Sequence, residues 1–361
     1  MVEFSIIIPV YNRGEKIIYT LDSVKNQSYK NYEVIIIDDG SKDNTFQVCS
    51  SYCLENNQFY VYHYQNGGLS IARNRGIKKA IGKFILFLDS DDRLDLKTLE
   101  ILHKVQEEND SDLVIFGIKY YYNSDKFNIT YNTLKKNFLL NKSYIKEKIL
   151  PNILNIDSNI TFSIEPYAVN KLYRRKLLVN NSIYFDENRR IWEDKPFVAT
   201  YIFYASNAII IDDCLYEYIS TEDSLSRRFS KEKFFIIEKN ALIYEKYFGN
   251  LFDLNSEKIC THYFNQVNKL MLEAIPFLKT YNKDINECIN YLFNNQKVNF
   301  WYQNSHPKTS DVIIKKAYLK KNKRKYLNIF KFRYQTKLIK DRFYLFERNY
   351  YAIWKKLFRR R

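Results

Sequence analysis

The sequence predicts an α/β fold: a mostly parallel sheet with helices on both faces over residues 1–227, then a mainly helical region. Three observations predict it. Short apolar runs alternate with segments of helical periodicity from the start of the chain to about residue 117. The run FILFLDSDD, Phe84 to Asp92, passes from an apolar stretch straight into carboxylates. From Phe229 onward the chain turns to Lys-, Glu-, Asn- and aromatic-rich stretches that read as helices.

The elements follow in order. SIIIPV is the first strand, and Glu15 to Asn26 the first helix, with Ile17, Leu21 and Val24 on one face. YEVIIID is the second strand; Asn44 to Asn57 is the second helix, with Asp43 or Asn44 as its N-cap. FYVYHY leads to a helix over Ser70 to Ala80, capped by Ser70. FILFLD, bounded by Gly82, is too short for a helix and reads as a buried parallel strand. A helix over Lys97 to Asn109 and the strand DLVIFG complete the alternation, which implies right-handed crossovers. From about Ile118 to Ser226 the pattern is less regular. There NAIIIDD and LYEYI suggest strands, and NKLYRRKLL and KPFVATYIFYA suggest helices. Pro276 and Pro307 mark breaks between later helices. The organisation expected is a catalytic domain over 1–227, a helical domain over 228–307 and a basic aromatic tail over 308–361.

Composition narrows the class. Aromatic residues at 17% and apolar types at 46% supply a real core and exclude global disorder. No stretch approaches the roughly 18 consecutive apolar residues of a membrane-spanning helix. The first residues lack a basic leader and a long apolar stretch, so a cytosolic chain is expected. Cys49, Cys53, Cys214, Cys260 and Cys288 are scattered and read as free thiols; no His/Cys cluster completes a zinc site with them. His63, His103, His262 and His306 share no ligand-like spacing and read as structural. Between Lys308 and Arg361 stand 19 Lys and Arg against 3 Asp and Glu, so this segment carries the whole net charge of +16. Such a patch points to a polyanion or an anionic membrane.

The acidic run carries the chemistry. Residues two apart on an extended chain point the same way, so Asp89 and Asp91 aim at one point past the strand's end. Doubly wound sheets bind ligands there. The two carboxylates repel unless a cation sits between them, and a hard divalent ion bridging a diphosphate fits that place. Other strands end nearby in Pro9-Val10-Tyr11-Asn12 and Asp38-Asp39-Gly40-Ser41, and the third leads into GGLSIARN. Asp39 offers an acceptor to a base N–H, and Arg73 a planar fork for phosphate oxygens. The plainer readings are a polar loop at Asp89 to Asp92 and turn formers at Asp38 and Asp39.

PVYN, DDGSKDNT, GLSIARNRG and FLDSDD stand in the order, and near the spacing, of the inverting family 2 glycosyltransferases of the GT-A fold, which the chain resembles from about Val2 to Arg227. The resemblance implies a UDP-sugar donor held by Pro9, Tyr11, Asn12, Asp39, Arg73, Asp89 and Ser90. It implies Asp91, with Asp89, as ligand to Mn2+ or Mg2+ on the diphosphate. NKLYRRKLL, FDENRRIWEDKPF and LYEYISTEDSLSR resemble the second half of bacterial polysaccharide and teichoic-acid transferases, and by that likeness Asp194 is the general base. A helix N-cap is the other reading of Asp194, because Lys195-Pro196 follows it. Glu193 is read as a partner of the base. Ser226 and Arg227 are candidates for diphosphate contact, Lys171 for a site role. Tyr218-Ile219-Ser220 stands where the family often carries an aromatic-Arg or aromatic-His pair. The acceptor implied is a cell-surface glycan or a lipid-linked one.

In the tail, Tyr350, Ile353, Trp354, Leu357 and Phe358 share a helical spacing, with Lys355, Lys356, Arg359 and Arg360 largely elsewhere around the axis. This is the pattern of a helix in a membrane interface, placing the enzyme on the inner face of the cell membrane. Packing of the aromatic stripe on the protein is the alternative. No nucleic-acid-binding signature is present. A sugar-nucleotide nucleotidyltransferase would want a Gly-rich basic loop in place of PVYNRG. A hydride-transferring enzyme would want G-x-G-x-x-G. A scaffold without catalysis would lack the aspartates. The sequence leaves the sugar, the linkage and the oligomeric state open.

Overall fold

The computed structural model describes residues 1–122, 127–130, 137–153, 164, 166–220, 230–250 and 256–337. The chain divides into two units, Met1–Ser226 and Arg227–Arg361.

In the first unit β1 (Phe4–Val10), β2 (Tyr32–Asp38), β3 (Phe59–His63) and β4 (Phe84–Phe87) form the parallel half of the sheet. Every residue of β1, β2 and β4 is buried, which is why their sequences are near-continuous Ile, Val and Phe. The remaining strands are β5 (Arg93–Leu94), β6 (Leu113–Tyr122), β7 (Phe127–Thr130), β8 (Phe138–Asn141), β9 (Lys171–Arg174) and β10 (Asn207–Ser220). The sheet runs β3-β2-β1-β4-β9-β6-β10-β5, with β7 on β6 and β8 on β10. Because β9 is antiparallel to both β4 and β6, the sheet is parallel on one side of it and mixed on the other.

The helices of this unit are α1 (Ile17–Lys25), α2 (Thr45–Glu55), α3 (Leu69–Lys79), α4 (Thr98–Asn109), α5 (Lys142–Tyr144), α6 (Leu150–Ile153), α7 (Arg175–Asn180) and α8 (Asp194–Tyr204). Ile17, Leu21 and Val24 are buried together, as the periodicity predicts. Helix α3 lies close on β1: a Cβ at Gly76 would stand 2.3 Å from Ile7 Cγ2.

Several expectations are corrected. The strand ends at Phe87, so Asp89 to Asp92 lie in the turn beyond it, where strand alternation no longer orients them. Ser70 does not cap α3; Gly68 holds that position at φ +92°, and Ser70 Oγ donates to the Arg189 carbonyl at 3.0 Å. Asn44 stands at the start of α2 without a side-chain cap, while Asp43 Oδ1 accepts the Thr45 N–H at 3.1 Å. NKLYRRKLL is not one helix. Its first half is β9, whose pairing with two strands outweighs the local helical spacing, and only Arg175–Asn180 is helical. NAIIIDD and LYEYI join in the single strand β10, with register shifts against β6 between Ile210 and Tyr216.

The second unit is helical: α9 (Glu232–Phe248), α10 (Glu257–Ala274), α11 (Asn282–Asn294), α12 (Gln296–Asn304) and α13 (Val312–Leu319), followed by helical residues 323–337. Pro276 lies in a short 3-10 turn between α10 and α11, and Pro307 lies between α12 and α13, both at breaks. Aromatic rings make its core. Tyr302 stacks on Tyr318 with centroids 3.7 Å apart, and its hydroxyl donates to Asn268 Oδ1 at 2.7 Å. Ser226, Arg227 and the aromatic and basic residues of 338–361 lie outside the described residues. Among the described residues no helix is long and apolar enough to cross a membrane. All five cysteines are free.

Candidate active site

The strand ends of β1, β2 and β4 bring together most of the sequence candidates. Pro9 is buried within β1, and Tyr11, just beyond it, is 43% exposed. Asn12 sits at φ +50°, a left-handed conformation that Asn tolerates better than most. Its N–H donates to Ser41 Oγ at 2.9 Å, and its Oδ1 accepts the Lys42 N–H at 2.8 Å, tying the ends of β1 and β2.

Asp38 and Asp39 do different work. Asp38 is fully buried and braces the loop, with Oδ1 accepting from Ser41 and Oδ2 facing His63 Nδ1 at 2.5 Å. His63 is thus structural. Asp39 Oδ1 accepts from Gly67 N–H at 2.9 Å and from Arg75 at 3.0 Å, and Oδ2 accepts from Gly68 N–H at 2.6 Å. Each carboxylate oxygen carries two lone pairs, so Oδ2 keeps one for a further donor. Gly40 makes the turn between the strand and the loop: its φ is +77°, and a Cβ there would lie 2.7 Å from the Asn66 backbone nitrogen.

Arg73 holds the centre. Its guanidinium donates to Asp89 Oδ1 at 2.9 Å, Glu193 Oε1 at 3.0 Å and Asp194 Oδ1 at 2.6 Å, and lies 5.1 Å from the Phe185 ring centroid. Its side chain is 2% exposed. The sequence expectation set it on phosphate oxygens; the structure sets it on three carboxylates, two of them from more than 100 residues away. Burial works against its charge, and Asp194, Asp89 and Glu193 together outweigh that and raise its pKa. In return, burial pushes Glu193 up to about 7, with repulsion from Asp194 adding to it. Burial also raises Asp194, against the pull of Arg73. Asp194 is the first residue of α8, and neither it nor Glu193 caps the helix through its side chain. Its Oδ2 accepts the Ala168 N–H at 3.2 Å, and the side chain remains 20% exposed. The cap-only reading is therefore excluded. Lys171 is buried in β9 and adds positive potential near Asp194.

Segment 185–193 is fixed to α3. Asn74 Nδ2 donates to the Phe185 carbonyl at 2.9 Å, and Asn74 Oδ1 accepts the Phe185 N–H at 2.9 Å. Trp192, immediately before Glu193, adopts φ +54° and is 40% exposed.

The turn after β4 faces two arginines. Ser90 is buried and Asp91 is one-third exposed; Arg13 donates to Ser90 Oγ at 3.2 Å and to Asp91 Oδ2 at 2.6 Å. Burial raises the Asp91 pKa, with Arg13 opposing and Asp89 reinforcing. Asp92 is buried and takes no part in the open site. Tyr216 Oη donates to it at 2.5 Å and Ile219 N–H at 2.8 Å, which fixes the turn to β10. Tyr218-Ile219-Ser220 thus acts on the turn through a backbone N–H. Sequence reasoning missed Arg13 and Tyr216; the Arg after PVYN was a visible signal for the first, and nothing local marks the second.

A divalent ion is tested by the donor set. Asp89 Oδ2 and Asp91 Oδ1 accept no hydrogen bond among the described residues, so each carboxylate keeps an oxygen for a cation. Among the described residues no group of three or more His, Cys, Asp or Glu is arranged to hold a metal by itself. Two carboxylates completed by substrate phosphates is the ordinary manner for Mg2+, so the residues fit.

The carboxyl edge of the sheet thus joins the acidic turn after β4 to Asp194 through Arg73. The glycosyl transferase family 2 profile matches residues 5–180. GlyG, a glycosyltransferase of Streptococcus pneumoniae, is 30% identical over 224 residues, covering 62% of this chain and 72% of GlyG. EpsJ of Bacillus subtilis, an uncharacterized glycosyltransferase, is 33% identical over 222 residues, covering 62% of each protein. The chain thus spans just under two thirds of EpsJ. The crystal structure of Staphylococcus aureus TarS 1-349 in complex with UDP-GlcNAc superposes with a TM-score of 0.65 at 21% identity, covering 92% of each chain, and so shares the fold. The chain belongs to glycosyl transferase family 2.

Proposed function

We propose that this enzyme transfers a sugar from a UDP-sugar, with inversion, to a hydroxyl of a cell-surface glycan or lipid-linked acceptor. The observation that carries the reading is the Arg73 cluster, which joins Asp89 in the turn after β4 to Asp194, a residue 121 positions beyond Arg73. One group then ties the donor's diphosphate end to the acceptor's base. UDP as the nucleotide is supported by the TarS 1-349 complex with UDP-GlcNAc, whose fold the chain shares. An acceptor on a surface polymer is supported by the likeness to the poly(ribitol-phosphate) beta-N-acetylglucosaminyltransferase TarS, 29% identical over 226 residues, of which the match covers 36%.

Inverting transfer is a single in-line displacement. The acceptor oxygen attacks the anomeric carbon, the bond to the UDP oxygen breaks, and the hydroxyl proton passes to a carboxylate on the opposite face. Asp194 is that base. Its raised pKa makes it a stronger proton acceptor than a solvated aspartate, and Arg73 and the Ala168 N–H hold it in one orientation. The residues that hold the donor are Tyr11 and Pro9 beside the base, Asp39 through its spare lone pair, and Asn12, Ser90 and Asp89 around the sugar and ribose. Asp91 and Asp89 would hold Mn2+ or Mg2+, and the ion would neutralise charge on the leaving diphosphate. The enzyme works at the inner face of the cell membrane, drawn there by the basic segment after Lys308. No nucleic-acid role is supported.

A thermal-shift screen of UDP- and GDP-sugars with Mn2+ tests the donor. A UDP-sugar present at 100 times its Kd stabilises the fold by about 2.7 kcal/mol and raises Tm accordingly. A shift with GDP-sugars and none with UDP-sugars removes the UDP assignment.

A further inference from the structure

Two arginines face the acidic turn, and they are built differently. Arg73 is buried and held by three carboxylates, so it has no freedom to exchange partners. Arg13 is one-third exposed and, among the described residues, its side chain hydrogen-bonds to the turn alone, through Nη2 to Asp91 Oδ2 at 2.6 Å and Nε to Ser90 Oγ at 3.2 Å. Its backbone is anchored: the N–H groups of Arg13 and Gly14 both donate to Thr45 Oγ1, at 2.8 and 2.7 Å. A long, partly solvated side chain on a fixed backbone can swing between partners at little cost to the fold.

Asp91 is the same carboxylate that the donor-site reading gives to a divalent cation. A guanidinium and a doubly charged ion on one carboxylate stand within a few ångströms and repel in a partly desolvated site. We propose that Arg13 and the divalent cation compete for Asp91, and that Arg13, once displaced, turns to the donor's diphosphate. Its planar fork matches phosphate oxygens in a way an ammonium does not. Arg13 is then a built-in counter-ion that keeps Asp89 and Asp91 from repelling each other until donor and cation arrive together. This rests on the donor-site reading above.

The test compares wild type with Arg13→Gln and Arg13→Lys. Mn2+ affinity of nucleotide-free protein is read from the electron paramagnetic resonance signal of free Mn2+. Arg13→Gln is expected to bind Mn2+ about tenfold more tightly, the scale of one charge-assisted hydrogen bond, while Arg13→Lys stays near wild type. A damaged fold would weaken binding, so tightening is not produced by misfolding. With saturating Mn2+, calorimetry with UDP and with uridine gives the second readout. Arg13→Gln should lose about tenfold toward UDP and nothing toward uridine. Equal or weaker Mn2+ binding by Arg13→Gln overturns the competition, and unchanged UDP affinity overturns the turn to the diphosphate. Wild type that binds no UDP with Mn2+ present overturns the donor-site reading instead.

Discussion

At the residue scale the site is a problem in charge placement. Asp89, Glu193 and Asp194 converge on one buried guanidinium. Burial of the last two, with charge repulsion from neighbouring carboxylates adding to it, raises Glu193 to about 7 and moves Asp194 the same way, against the pull of Arg73. The two titrate as a pair, and the base must be unprotonated to accept a proton. Turnover is therefore expected to rise with pH along an acid limb whose midpoint lies above the ordinary carboxylate value of about 4. A pH profile of kcat checks this, and a midpoint at or below 4 would contradict the buried pair. This arrangement was half legible beforehand. Asp89, Asp91 and Asp194 were marked by a strand end and by the likeness of EDKPF to known transferases. Arg73 was marked as well, yet given to phosphate, because its real partners lie 16, 120 and 121 residues away and no local pattern announces them. Arg13 is marked locally by its place after PVYN, but its partner is not, because Asp91 lies 78 residues away.

At the scale of elements, α3 sets the geometry. It carries Arg73 and Asn74 and can do so only by lying close on β1, where Gly76 meets Ile7. A methyl at Gly76 has no room, since the nearest atom belongs to a buried, β-branched side chain in the middle of the sheet. Gly76→Ala is expected to cost about 1–3 kcal/mol, measurable by urea unfolding, and to lower turnover by moving Arg73 off its carboxylates. Stability equal to wild type would show that α3 packs less closely than described. Long periodic elements of this kind were plain in the sequence: α1, α2 and α4 and the buried strands β1, β2 and β4 follow the apolar spacing. Short elements were not. The strand β9 has four residues and β5 two, and each exists because neighbouring strands offer hydrogen bonds, which local spacing does not encode. β10 is the reverse case, one strand whose bulge around Cys214 reads in the sequence as a gap between two.

At the scale of the whole molecule, charge and catalysis are separated along the chain. The segment from Lys308 onward holds the entire net charge of +16, leaving the preceding residues balanced. Clustered cations near anionic lipid contribute about 1 kcal/mol each. Replacing Lys355, Lys356, Arg359 and Arg360 by Gln is expected to weaken sedimentation of the full chain with phosphatidylglycerol vesicles by at least about tenfold, and to leave turnover of a water-soluble acceptor unchanged. Equal sedimentation of both proteins would take the membrane away from this segment. The most direct measurement of the central claim is made on Asp194→Asn. UDP affinity and sugar transfer are determined side by side on the wild type and the variant. UDP binding is expected to stay within about threefold of wild type and turnover to fall by about 10²–10⁴, the usual contribution of a positioned base. Near-normal turnover in the variant would contradict that role for Asp194.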